Sequence, residues 1–207
     1  MKGILVLFGK MLYLLGMPKF GSAFSKAFNY VYSGMISNSF QQCGHNFYLQ
    51  YPSYLLGMKN IKVGSNFSSF KRLRLEAYIS HNGFSFNPQI IIGDSVSINF
   101  DCHIAAINSV KIGDGTLIAS RVFICDHFHG DNSVKSSLLE PNKRKLSSKG
   151  AVVIGKNVWI GEGVAIMPGV EIGDNSVVGA NSVVTKSFPK NSIIGGVPAK
   201  LLRQITN

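Results

Sequence analysis

The chain has 207 residues, 45% of them hydrophobic and 15% charged, with a formal net charge of +11. That length suits one good-sized domain, and an apolar composition of low charge excludes a disordered chain. The basic residues are scattered and form no recognisable nucleic-acid module. The surplus charge therefore points to a phosphate-bearing cofactor, an anionic glycan or a membrane surface, and not to nucleic acid.

The first acidic residue is Glu76. Before it, the opening stretch MKGILVLFGKMLYLLGMPKF is apolar around Lys10. Ile4–Leu15 would be about 18 Å long as a helix, too short for a bilayer core of roughly 30 Å. No small-residue cleavage site of a signal peptide follows it. Two readings of the 1–60 region stay open: a helical cap packed on the domain, or a basic apolar segment lying on the inner face of the cytoplasmic membrane. Either way the expected location is cytoplasmic. The three cysteines, Cys43, Cys102 and Cys125, match neither a disulfide framework nor a C-x-x-C metal site, and read as free thiols.

From residue 90 on, the aliphatic residues keep a period of six. Ile92, Ile98 and Ile104 are followed, after a two-residue slip, by Ile112, Ile118 and Ile124. After a long interruption come Ile154, Ile160, Ile166, Ile172, Val178 and Val184. Six is neither the helical nor the strand period, so the pattern is a structural repeat. Smaller side chains four residues further on, such as Val96, Cys102, Thr116 and Val164, are expected to point inward as well. Between them lie GDS, GDG, GKN and GDN, whose residues tolerate left-handed backbone angles. Each hexapeptide reads as one short strand and one corner. Three make a triangular coil, and stacked coils make an all-β parallel helix with an aliphatic ladder inside.

The rhythm breaks at 126–151, a segment rich in Ser, Lys and Asn that begins Asp126-His127-Phe128-His129-Gly130. So long a loop inside a compact fold is expected to be functional. An imidazole is suited to taking a proton from a hydroxyl as that oxygen attacks a thioester carbonyl. Backbone N–H groups at strand ends could then serve the oxyanion. Asp126 either orients a histidine or caps the turn. Cys125 is a weak candidate for a nucleophile, because closeness in sequence is not closeness in space.

The stretch NVWIGEGVAIMPGVEIGDNSVVGANSVVTK and the closing GGVPAK resemble the hexapeptide-repeat acyltransferases, over roughly 61–202. The resemblance implies a left-handed coil, acetyl-CoA as acyl donor with no metal required, and a homotrimer with sites at subunit interfaces. It divides the chain into an N-terminal region (1–60), a β-helix domain (61–202) with its excursion, and a tail (203–207). INFDCHIAAINSVKIGDGTLIASRVFICDHFHG is similar to the sugar O-acetyltransferases of that superfamily that act on lipopolysaccharide O-antigen or capsule, and to galactoside and maltose acetyltransferases. By that likeness His127 falls on the general base, and His129 is the alternate base or an acceptor contact. Asn99 and Asp101 fall to the acceptor. A family acceptor-binding Asp is replaced by Ala106 or Ile107, which counts against simple galactosides.

On the donor side, Trp159 precedes an inward Ile160 and so points outward, to a subunit contact or to the cofactor. Gly161, Ala180, Thr185 and Lys186 match the family's coenzyme A groove, and Lys186, Lys200 and Arg203 are suited to its phosphates. The alternatives are an acetyltransferase for another small acceptor (an antibiotic, serine or an amino sugar), a zinc hydratase on the same β-helix, and a non-enzymatic scaffold. His103, His127 and His129 lack the spacing of the hydratase's ligands.

Overall fold

A computed structural model describes residues 2–14, 17–131 and 133–206; of the side chains at 12, 14 and 17–21 nothing is said. Met1, Leu15, Gly16, Asn132 and Asn207, which belong to the predicted N-terminal segment, excursion and tail, lie outside the described residues.

The repeat folds as a three-faced prism of stacked turns. The first turn lays down Gln42–Cys43, Tyr48–Leu49 and Tyr54–Leu56, one strand per face. The second lays Ile61–Val63, Ser68–Ser69 and Arg74–Ala77 on them in parallel register. Turns continue through Gln89–Ile92, Ser97–Ile98 and His103–Ala106, then Ser109–Ile112, Leu117–Ile118 and Phe123–Cys125. After the excursion come Val152–Ile154, Trp159–Ile160 and Ala165–Ile166, then Glu171–Ile172, Val177–Val178 and Val183–Val184. Ser192–Gly196 extends the second face, and Ala199–Gln204 folds back antiparallel on it.

All twelve ladder residues from Ile92 to Val184 are buried, as are Val96, Cys102, Thr116 and Val164. Removing one such aliphatic side chain from water is worth about 1.5–3 kcal/mol, and each turn buries its face only against its neighbours. The corners between the first and second faces hold Asn66, Ser95, Asn157, Asn175 and Asn191 at positive φ. Their side chains stack: the Asn157 amide donates to Asn175 (3.3 Å) and that of Asn175 to Asn191 (3.2 Å). Asn adopts this backbone conformation more readily than other side chains.

Two boundaries differ from the sequence reading. Parallel pairing begins at Gln42, so residues 42–60 belong to the solenoid. Its first turn does carry the six-residue spacing, as Cys43, Leu49 and Leu55, but a cysteine there and Ser69 in the next turn hide the aliphatic signal. At the other end Arg203 and Gln204 still pair with Ile193 and Ser192, so the strand after Pro198 runs into the expected tail.

Two helices precede the coil, α1 (Lys2–Leu14) and α2 (Met17–Ser37). The C-terminal half of α2 caps the first turn. Buried Asn29 accepts from the Tyr51 N–H (2.9 Å), and Ser33 Oγ accepts from the Leu49 N–H (2.8 Å). Phe40, Phe47 and Phe67 pack together at this end of the core, Phe47 stacked on Phe67 and Phe40 edge-on to Phe47.

Candidate active site

Three irregularities of the repeat fall on one edge of the prism, where the third face turns back to the first. Between Arg74–Ala77 and Gln89–Ile92 the chain leaves as a hairpin, Ser80–His81 with Phe84–Ser85. One turn on, the two-residue slip is the corner Ile107-Asn108. One turn further, 126–151 leaves the coil, with Phe128–His129 antiparallel to Leu146–Ser147. The three deviations stack, and the two excursions touch. The Asn82 side chain donates to the Asn142 carbonyl, and Lys145 lies over the Phe84 ring at 5.2 Å.

Asp126 is fully buried beneath this edge. The N–H of Ile107 donates to its Oδ1 (2.9 Å), and those of Asn108 and Ser109 to its Oδ2 (2.7 Å each). Its Oδ1 also faces His127 Nδ1 at 2.9 Å. Asp126 therefore fills both predicted roles: it closes the corner and it orients the histidine. A carboxylate accepts only, so Nδ1 carries the hydrogen, and Nε2 is left as an acceptor. The slip at 107–108 is part of this device, since its amides form the seat of the carboxylate.

His127 lines a cavity of about 410 Å³ with Tyr78, His81, His103, Cys125 and His129 among its walls. The Tyr78 ring stands edge-on to His127 at 5.9 Å, and His81 edge-on to His129 at 5.6 Å. Deeper in, buried Glu76 receives Arg74 Nη2 (3.0 Å) and His103 Nε2 (2.5 Å). Burial holds His103 below the ordinary histidine range despite that carboxylate, and it raises Tyr78 above the usual phenol. Burial also pushes the Cys125 thiol up to about 12. Its sulfur donates to the His127 carbonyl (3.2 Å), an environment that disfavours a thiolate.

The site thus unites Asp126, His127 and His129. Sequence reasoning missed Tyr78, His81, Arg74 and Glu76, and weighed His103 only as a metal ligand; all come from turns stacked below. One signal was available: His81-Asn82-Gly83-Phe84 carries the Asn-Gly pair typical of a two-residue hairpin turn. Asn99 and Asp101 lie on the opposite edge of the third face, away from His127. Asp101 holds a corner at positive φ and pairs with Arg72 of the turn below, so that within one chain its carboxylate serves the stack.

Of the donor-side residues, Trp159 is 55% exposed, and Ala180, Thr185, Lys186, Lys200 and Arg203 are exposed. Gly161 is small for a reason internal to the coil: a Cβ there would sit 2.7 Å from the Ala180 nitrogen. The Lys186 ammonium lies 5.7 Å from the Phe188 ring centroid. Thr185 follows the third face, on the His127 edge, whereas Gly161 and Ala180 turn the corner before it. Among the described residues no three of His, Cys, Asp and Glu are grouped to hold a metal ion.

Comparison with known proteins agrees with this architecture. Residues 151–186 match the family described as bacterial transferase hexapeptide (six repeats). The Escherichia coli K12 protein WbbJ, named for O-acetyl transfer in lipopolysaccharide biosynthesis, is 44% identical over 160 residues, 75% of this chain and 78% of its own. The chain belongs to the hexapeptide-repeat acyltransferases. The galactoside O-acetyltransferase of the same organism is 40% identical over 129 residues, 60% of this chain and 58% of that one. Among solved structures, a maltose O-acetyltransferase from Clostridium difficile 630 superposes with a TM-score of 0.54 at 27% identity, covering 84% and 74% of the two chains. AntD, an N-acyltransferase from Bacillus cereus in complex with dTDP and 3-hydroxybutyryl-CoA, reaches 0.68 at 20% identity, covering 84% and 87%, and so shares the fold.

Proposed function

We propose that the protein transfers an acetyl group from acetyl-CoA to a hydroxyl of a sugar in a surface polysaccharide of the lipopolysaccharide O-antigen or capsule type, or in its precursor. The observation that carries this is His127, held at Nδ1 by a buried carboxylate and lining a cavity of about 410 Å³. The likeness to WbbJ supports the glycan class, and the family supports a left-handed coil and a homotrimer.

Acetyl-CoA is a substrate here and supplies the thioester carbonyl. The protein's own part is to position the acceptor and move one proton. His127 Nε2 takes the hydroxyl proton as the new O–C bond forms, and returns it to the departing sulfur as the C–S bond breaks. Asp126 stabilises the imidazolium between the two events. His129, on the same excursion, meets the acceptor from across the cavity. On the donor side Thr185 and Lys186 share an edge with His127, while Gly161 and Ala180 stand at the other edge of the third face and Trp159 on the second face beside it. We assign the coenzyme groove to the junction between copies of a trimer, with Lys186, Lys200 and Arg203 toward its phosphates. Asn99 and Asp101 would then reach an acceptor only from a neighbouring copy.

The test is thiol release from acetyl-CoA by the purified protein, with surface-glycan extracts as acceptors, beside His127→Ala. Acceptor-dependent release that disappears in the variant is the expected result. Binding of coenzyme A without release on any glycan would overturn the acceptor class. Absence of binding would overturn acyl transfer itself.

A further inference from the structure

We propose that α1 is a peripheral membrane anchor, lying in the headgroup region of an anionic bilayer, and that α2 is the strut joining it to the solenoid. The starting point is the apolar helix surface left exposed among the described residues. Every described side chain of α1 is exposed, among them Ile4 at 75%, Leu7 at 70% and Phe8 at 53%. On α2, Phe24, Val31 and Met35 are exposed as well. A helix apolar around most of its circumference has no stable place in water, and one of this length is marginal alone.

Its dimensions decide between crossing and lying flat. The 13 residues of α1 reach about 20 Å, and among the described residues no helix is long and apolar enough to cross a membrane. Charge decides the kind of surface. No Asp or Glu occurs before Glu76, while Lys2, Lys10 and Lys26 stand exposed on the two helices. Two copies covering one another through these helices would bring lysines together with no helical carboxylate to pair them. An anionic bilayer supplies both the apolar bed and the counter-charge.

The far end of α2 is not free. Asn29 and Ser33 bond the backbone of the first turn, Tyr32 Oη pairs with Ser53 Oγ at 2.6 Å, and Phe28 and Tyr32 stand edge-on to Tyr51 at 5.8 and 5.5 Å. A membrane-bound α1 would therefore hold the whole prism by its first turn. This inference does not depend on acetyl transfer.

The test is sedimentation of the full chain with phosphatidylglycerol–phosphatidylcholine vesicles and with pure phosphatidylcholine vesicles, at low and high salt. The wild type should pellet with the anionic vesicles and be released by salt. An Ile4→Asp, Leu7→Asp, Phe8→Asp variant should lose more than about tenfold in partitioning while its β-type circular dichroism and thermal midpoint stay unchanged. A Lys2→Glu, Lys10→Glu, Lys26→Glu variant, which keeps the apolar face, should bind weakly and without salt dependence. A wild type that stays in the supernatant with both vesicles overturns the proposal. So does an Asp variant that pellets normally, or one whose only change is a smaller assembly by light scattering, since a second copy would then be what covers α1.

Discussion

Two edges of the prism are alike, and the third is not. On the first two, corners repeat turn after turn at the same left-handed backbone angle: Asn157, Asn175 and Asn191 hold it on one, Asp101, Arg121 and Asn181 on the other. On the third edge each turn solves the corner differently, by a hairpin at 80–85, a two-residue slip at 107–108 and the excursion at 126–151. The regular edges serve the stack. The irregular edge gathers the residues of the proposed site, because a parallel coil tolerates an outward loop and because loops bring side chains from different turns together.

The sharpest break of that contrast is His127→Ala. It should lower kcat by about 10²–10⁴-fold while the thermal midpoint holds, as His127 lies outside the ladder. His129→Ala should cost less, and a larger loss there would move the base to the other histidine. On the regular part of the coil, Ile160→Ala should cost about 2–5 kcal/mol in denaturant unfolding and leave the KM for acetyl-CoA unchanged in the folded fraction. Stability lost by less than that would mean that the ladder is not what holds the coil. Asp126→Asn tests the one residue that belongs to both regimes. It sets an amide donor against the N–H groups of 107–109 or against His127, so it should lower both activity and stability, the latter by about 1–3 kcal/mol. Intact stability with lost activity would assign it to orienting the histidine alone.

Smaller effects separate the corners from the site. Asn175→Ala forces an ordinary side chain into a left-handed corner and should cost about 1 kcal/mol, whereas Asn175→Gly should be nearly neutral by chemical denaturation. Equal losses would mean that the asparagine ladder, and not the backbone angle, stabilises that edge. The last prediction is a pH effect. Burial lowers the pKa of His103 in the folded chain, so the unfolded chain binds more protons as pH falls through about 6.5. Stability should fall as pH drops through about 6.5, and His103→Gln should make that fall shallower in denaturant unfolding followed across pH. A variant with the same slope would place the acid sensitivity elsewhere.

The N-terminal region offers the converse of the ladder. Both segments are apolar, yet the hexapeptide aliphatics are almost wholly buried, while those of α1 face outward. Composition cannot tell these cases apart, since burial depends on whether a neighbouring turn exists to cover the face. The second half of α2 packs on the first turn of the coil, whereas every described side chain of α1 is exposed.

What the sequence by itself determined was the coil. A period of six in one residue class, with corner formers between, has few other solutions, because each turn repeats the same local conformation. The break at Asp126 was legible for the same reason, as an exception to a rule. Tertiary structure alone decided the rest. It put the slip at 107–108 under the carboxylate of Asp126, and His81 and Tyr78 beside histidines that follow them by more than forty residues. It also assigned Asp101 to a corner pair and Gly161 to close stacking on Ala180. Those relations run between turns, along an axis the linear sequence does not contain, and they arise only when stacking fixes which loops lie one above another.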